Sequence, residues 1–190
     1  MANPNAPMGL SPVDQNGGPY TGQTNTYYIA AAEASGNMGV GDVVAIAGAA
    51  DSTGMFPTVT KAAINGVVCG VITAVKMETA ESPIYRAALT ARYVEVCDDP
   101  NAIFEIQSDT GGGNLAATDV GNNASFLLGT FNATTGLSGT ELDTSTATTT
   151  NTLDMQILRF VNRPDNAIGA DANVLVRLNN HQFVDGTTGI

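Results

Sequence analysis

The sequence predicts an all-β protein, built as a single β-sandwich or barrel with an extended N-terminal arm. Short runs rich in β-branched and aromatic residues recur at fairly even spacing, and Gly, Asn, Asp and Pro occupy the gaps between them. An amphipathic helix is hard to place, because the one candidate, 29–35, is cut short by Gly36 and Gly39. A jelly-roll-like or tulip-like barrel is the expected architecture, with the strand order left open.

Residues 1–25 are predicted to form the arm, and residues 26–190 the β domain. Half of the chain's eight prolines lie in this arm, and proline fixes φ, removes a donor and favours extended geometry before it. No periodicity connects the arm to a core, so we expect the domain to fold without it. A frayed terminus is the simpler interpretation. Docking on a neighbouring molecule would instead explain its apolar side chains, Met8, Leu10, Val13 and Tyr20.

The β domain contains nine predicted strands. They are 26–32, 42–47, 57–61, 66–75, 92–97, 103–107, 125–130, 153–160 and 173–178. The run 66–75 is apolar almost throughout, which predicts one strand buried on both faces or two short strands broken at Gly70. The Thr-rich stretch 132–152 is low in complexity and is predicted to be a long surface loop or an exposed edge.

Charge narrows the range of partners. Charged residues make up 13% of the chain, against roughly one quarter in typical domains, and the net charge is −11. The seven basic residues are scattered, whereas nucleic-acid binding depends on clustered cations, and an anionic membrane would repel the chain. No run approaches the roughly 18 apolar residues of a membrane span, and no secretory signal is visible, so assembly in the cytoplasm in which the protein is made is expected.

The residue types needed for catalysis or metal binding are scarce. His181 is the only histidine, and with two cysteines the chain falls short of a zinc site. Cys69 and Cys97 are predicted to be buried, reduced thiols. Ser138, in GLSGT, lacks the second glycine of a nucleophile elbow. The sequence therefore predicts a protein that is not an enzyme and that carries no cofactor.

Distinctive short motifs lie at both ends of the chain. Residues 7–29 contain PMGLSPV and GQTNTYYI, and residues 157–183 contain RPDN and LVRLNNHQ. Between them lie GDVV (41–44), PTVTKA (57–62), TARYVEV (90–96) and LSGTELDTST (137–146). In this order the motifs resemble those of tailed-phage capsid cement (head decoration) proteins, and the resemblance spans nearly the whole chain.

The resemblance implies a β-rich structural protein of the virion, bound to the outer surface of the major-capsid lattice. Its expected partners are the major capsid protein and further copies of itself, as a trimer or dimer. The candidate interface residues are Met8, Leu10, Val13, Tyr20, Tyr27, Tyr28, Arg163, Asp165, Asn179, Asn180 and His181. The alternative is a recognition module for a receptor or carbohydrate, which the absence of Trp and the 6% aromatic content disfavour.

Overall fold

The computed structural model describes residues 3–15 and 17–184, which form thirteen β-strands and two short 3-10 helices, Ala117–Asp119 and Thr144–Thr146. The all-β prediction is confirmed. Within these residues, neither helix is long and apolar enough to cross a membrane. The strands are β1 (Ser11–Gln15), β2 (Gly18–Pro19), β3 (Asn25–Ile29), β4 (Val43–Ala50), β5 (Pro57–Lys61), β6 (Gly70–Val75), β7 (Arg92–Cys97), β8 (Ala102–Gln107), β9 (Asn123–Ala124), β10 (Phe126–Leu127), β11 (Glu141–Leu142), β12 (Met155–Phe160) and β13 (Asn173–Leu178).

Five strands close into a barrel in the order β3-β5-β4-β6-β7, with β7 pairing back to β3. All neighbours in the barrel are antiparallel except β3 and β5, which pair in parallel at a single position, Tyr28 opposite Thr58. Closure removes the exposed edges that an open sheet would present. The barrel is therefore closed between β3 and β5 by this one paired position.

Six of the remaining strands form an antiparallel sheet in the order β2-β1-β8-β13-β12-β9, with the two-residue strands β2 and β9 at its edges. Its centre is the β8–β13 pair, where Phe104 lies opposite Val176. A separate short pair, β10 and β11, completes the fold. Each of the nine predicted runs contains a strand, because period-2 alternation and turn residues are local signals.

The core has two parts that meet along the barrel wall. One fills the barrel and includes Val44 and Ile72; the other lies between barrel and sheet and includes Val43 and Phe104. Adjacent residues on β4, Val43 and Val44, therefore point into different parts, since successive side chains alternate across a strand. The same arrangement at Val71 and Ile72 shows burial on both faces for the middle of the predicted run 66–75, residues 68–72. Val67 and Ala74 are exposed, and the strand itself begins at Gly70.

The two cysteines belong to different parts of this core. Cys69 lies inside the barrel and Cys97 between barrel and sheet; both are fully buried and free of a disulfide, as predicted. Burial raises the pKa of the Cys69 thiol to about 12. Burial likewise raises the pKa of Cys97. Neither thiol has the lowered pKa of a reactive cysteine.

The N-terminal segment is extended, but it is not separate from the domain, which corrects the predicted boundary at residue 25. Ser11–Gln15 pairs with β8 inside the sheet, and Leu10 is fully buried in the core between barrel and sheet. Gly9 and Gly41 cross at φ values of 72° and 90°, and a Cβ on Gly9 would lie 2.5 Å from the Gly41 carbonyl oxygen. The four prolines argued against a strand here, but pairing with β8, which is distant in sequence, and with the short β2 stabilises it.

The Thr-rich stretch 132–152 is also more than a surface loop. Leu142 is fully buried in the core, and Ser138 and Thr140 are almost fully buried. The Leu142 carbonyl accepts a hydrogen bond from the Asp109 amide at 2.9 Å, which ties the stretch to the end of β8. The prediction of a loop or exposed edge was wrong for these residues, because low complexity does not report which positions face inward.

A buried carboxylate lies at the start of β12. Asp154 is fully buried; its Oδ2 accepts a hydrogen bond from the Phe126 amide at 3.2 Å, and its Oδ1 has no hydrogen-bond partner within the described part of the chain. Burial raises the pKa of Asp154, although hydrogen bonds from Asn65, Phe126 and Ser125 act in the opposite direction. The folded protein therefore holds a proton at Asp154 more tightly than the unfolded chain does.

We expect Asp154→Asn to become more stable relative to the wild type as the pH rises. A carboxyl with a raised folded pKa contributes stability below its ordinary value of 3.8 and loses it as the pH rises through the folded pKa. Urea unfolding between about pH 4 and pH 7 measures this difference. Glu81→Gln, which removes an exposed carboxylate, is the control. The raised pKa of Asp154 would be contradicted if the free energy of unfolding of Asp154→Asn, relative to that of the wild type, stayed constant or fell as the pH rises.

Candidate functional site

Three of the predicted interface residues are buried inside the domain and need correction. Leu10 is fully buried, Tyr27 is 4% exposed and His181 is 3% exposed. The Tyr27 hydroxyl donates to Asp98 Oδ2 at 2.7 Å, and His181 Nδ1 accepts from the Phe183 amide at 3.2 Å. Burial lowers the pKa of His181, although the carboxylates of Asp98 and Asp99 oppose this shift. These side chains stabilise the fold and do not face a partner.

The other candidates in the N-terminal segment are half-buried. Val13 lies at an irregularity in the β1–β8 pairing, and Met8 lines a cleft of about 410 Å³ together with Leu137. Tyr20 packs against the core between barrel and sheet, and burial raises its pKa to about 12. Most of the apolar surface that suggested docking on a neighbour is therefore used within the chain.

The C-terminal motif residues organise turns. Arg163 lies 2.7 Å from Glu105 on β8 and 3.5 Å from Asp165 in its own turn. Asn179 donates to Asn123 Oδ1 at 3.0 Å, and Asn180 donates to the Thr152 carbonyl at 3.0 Å. The structure thus gives these motifs a role in connecting strands, because Asn and Asp side chains readily bond to nearby backbone and turn groups.

Tyr28 is the candidate that faces outward from the barrel, because adjacent residues of a strand point to opposite faces and Tyr27 points inward. Its ring lies 5.2 Å from that of Tyr93, directly opposite on β7, and the Tyr93 ring lies 5.4 Å from that of Phe56. All three rings are half-buried. We call this row of three rings (Tyr28, Tyr93, Phe56) the aromatic face.

Asp51 holds the aromatic face in place. Its carboxylate accepts hydrogen bonds from the Tyr93 hydroxyl at 3.1 Å, the Phe56 amide at 3.2 Å and the Thr53 hydroxyl at 2.8 Å. Burial alone would raise the pKa of Asp51, but these hydrogen bonds and one from Met55 lower it below its ordinary value. One carboxylate thus positions both the central ring and the turn that carries Phe56.

A polar network continues the same outer surface toward the start of β3. Glu95 accepts hydrogen bonds from Thr24 and Thr26, both at 3.0 Å, and Lys76 Nζ lies 2.7 Å from its Oε1. Beside it, the segments leading into β3 and β5 border a cleft of about 460 Å³ lined by residues 24–27 and 55–57. The barrel surface therefore combines half-buried rings, hydroxyls, a carboxylate and an ammonium group in a fixed arrangement.

A second exposed surface is apolar and lies where two distant segments pair. Val68 and His181 form a parallel bridge, with hydrogen bonds of 2.8 Å from the Val68 amide and 2.7 Å to the Val68 carbonyl. Large apolar side chains flank this bridge on both segments. They are Ile64 (44% exposed), Val67 (49%), Phe183 (51%) and Val184 (39%). We call these four residues the junction surface.

A buried ionic cluster was not foreseen from the sequence. Asp42 is fully buried and accepts hydrogen bonds from the Gly39 amide at 2.9 Å and the Ser138 hydroxyl at 2.7 Å, with Lys61 Nζ 3.0 Å away. Ser138 therefore links the hairpin around residue 136 to the barrel. Among residues 3–15 and 17–184, no group of three or more His, Cys, Asp or Glu is placed to hold a metal ion.

Sequence reasoning missed the aromatic face although part of its signal was present. Tyr93 and Glu95 alternate with the buried Val94 and Val96, which places both on the outer surface of β7. Only the β3–β7 register brings Tyr28 opposite Tyr93, and nothing in the sequence near Phe56 indicates where its turn folds. Comparisons with protein-family models, curated proteins and solved structures gave no match.

Proposed function

We propose that the protein is a capsid cement protein of a tailed phage, which binds the outer surface of the major-capsid lattice and stabilises it. The ordered motifs at both ends of the chain resemble this family, and a charge-poor β domain is suited to burial against partners. A protein that binds only the assembled lattice stabilises it by mass action, and repeated sites multiply a modest contact. No catalytic chemistry is required.

The junction surface is the observation that carries this proposal. Four large apolar side chains, each between 39% and 51% exposed, lie on two segments that pair with each other. Isolated exposed apolar residues are ordinary, but grouped ones mark interaction sites. We assign this surface to contact with the major capsid protein, or with a further copy of the chain in a trimer or dimer.

Charge supports a position away from the packaged DNA. Six of the seven basic residues lie within 4.0 Å of an acidic side chain, so their charge is locally neutralised. The net charge of −11 then repels phosphate and opposes binding to duplex DNA. This excess of negative charge supports an outer location on the shell, away from the DNA.

The double variant Val67→Ser, Phe183→Ser is expected to bind shells at least tenfold more weakly than the wild type. Each large apolar side chain removed from water contributes about 1.5–3 kcal/mol, and roughly 1.4 kcal/mol corresponds to a factor of ten in affinity. Cosedimentation with purified shells of the major capsid protein encoded in the same genome measures the effect. Wild-type protein should also protect those shells from rupture on heating.

Leu89→Ser is the matched control, because Leu89 is 66% exposed on a different loop. Surface substitutions of this kind change stability by about 0.5 kcal/mol or less, so both variants should remain folded. If the double variant and the wild type bound shells equally well, the junction surface would not be the contact with the shell. Failure of the wild type to bind shells would overturn the cement proposal itself.

A further inference from the structure

We propose that the aromatic face and the cleft beside it form a carbohydrate-binding site. The site would take an oligosaccharide whose sugar rings lie against Tyr28, Phe56 and Tyr93 while its hydroxyl groups bond to the polar network at Glu95. This site is separate from the junction surface, and its function does not depend on attachment to a capsid.

The apolar half of the site is the row of three rings. Aromatic side chains provide large, rigid contact areas at low conformational cost, which suits the C–H faces of sugar rings. The ring centroids lie 5.2 and 5.4 Å apart, with interplanar angles of 48° and 75°, so the three rings form a continuous row of tilted faces and edges. Because Asp51 bonds to both the Tyr93 hydroxyl and the Phe56 amide, the rings are already ordered before a ligand arrives.

The polar half lies next to it on the same face. Thr26 on β3 is directly opposite Glu95 on β7, two positions from the Tyr28–Tyr93 pair. The Lys76 ammonium contacts both the Thr26 hydroxyl and the Glu95 carboxylate. The Lys76 side chain is 47% exposed and the Glu95 side chain 23% exposed, so both retain contact with solvent. Sugar hydroxyls both donate and accept, and this group provides a carboxylate acceptor beside hydroxyl and ammonium donors.

The cleft has the size and lining expected for such a ligand. Its volume of about 460 Å³ falls within the range of roughly 300–1,000 Å³ that is usual for small-molecule sites. Thr24, Asn25 and Thr26 line one side, and Met55 and Phe56 the other. Glu95 neutralises the nearby ammonium of Lys76, which favours an uncharged ligand over a phosphate or a nucleic acid.

The test uses the purified chain and a panel of tetrasaccharides built from β-linked glucose, α-linked glucose, mannose, galactose or N-acetylglucosamine. The protein has no Trp, so its intrinsic fluorescence comes from five Tyr, of which Tyr28 and Tyr93 are two, and a change in emission on adding a sugar is the first readout. Calorimetry gives the affinity independently. We expect at least one member of the panel to bind, and Phe56→Leu and Tyr28→Leu each to weaken that binding at least tenfold.

Phe183→Leu is the control, because Phe183 is an exposed aromatic outside the site. It should bind the sugar like the wild type, whereas Phe56→Leu should bind shells like the wild type. Thermal unfolding verifies that each variant is folded, and Lys76→Met tests the polar half if either ring variant is not. No binding of any panel member at millimolar concentration, or unchanged binding by the folded variants, would overturn the proposal.

Discussion

Replacing Arg86 by methionine is expected to lower the free energy of unfolding by about 3–5 kcal/mol, because it leaves Glu33 as an uncompensated buried charge. Arg86 is fully buried and makes five hydrogen bonds. Its guanidinium donates to the Glu33 carboxylate at 3.2 Å and to carbonyl oxygens of Ala30, Glu33, Gly36 and Thr90 at 2.7–3.1 Å. One side chain thus holds together the loops at one end of the barrel.

Urea unfolding of Arg86→Met measures the loss, with Arg177→Met as the control. Arg177 is exposed on β13, so its replacement should change stability by about 0.5 kcal/mol or less. Arg86→Lys should recover little, because an ammonium group cannot reproduce the planar fork of five donors. If Arg86→Met unfolded at the same urea concentration as Arg177→Met, the buried network would contribute nothing to stability.

Deleting residues 1–15 is expected to abolish cooperative folding at room temperature. The deletion removes β1 from the sheet, exposes the backbone edge of β8 and takes Leu10 out of the core. Leu10→Ala alone should lower the free energy of unfolding by about 2–5 kcal/mol, since large-to-small changes at fully buried positions leave a cavity. The whole free energy of unfolding of a domain of this kind is only about 5–15 kcal/mol.

Circular dichroism and urea unfolding of the deletion and of Leu10→Ala test this expectation. Val13→Ala, at a half-buried position on the same segment, is the control and should cost much less than Leu10→Ala. A deleted chain that kept a sharp unfolding transition would show that the segment is a dispensable arm, as its proline content predicted.

The positions of the main strands could be read from the sequence. In the predicted strand 92–97, Val94 and Val96 alternate with Tyr93 and Glu95, and the structure buries the two valines inside the barrel. The burial of Cys69 and Cys97 followed from their positions in apolar runs. These features depend on neighbours along the chain, since the backbone of a strand sends successive side chains to opposite faces.

Features created by pairing between distant segments could not be read in this way. The strand at Ser11–Gln15 exists because β8 provides its partner, and Leu10 is core because Gly9 passes directly against Gly41. Proline content argued for a detached arm, yet tertiary contacts outweighed that local preference.

The same distinction between local signals and long-range pairing applies to the candidate sites. Tyr27 and Tyr28 were both predicted interface residues, whereas the structure buries Tyr27 and the register of β3 on β7 places Tyr28 opposite Tyr93. His181 was a predicted interface residue, whereas the structure buries it beside its bridge to Val68. Alternation and turn chemistry along one chain determined which residues form strands, and only the register between strands decided which side chains meet on one surface.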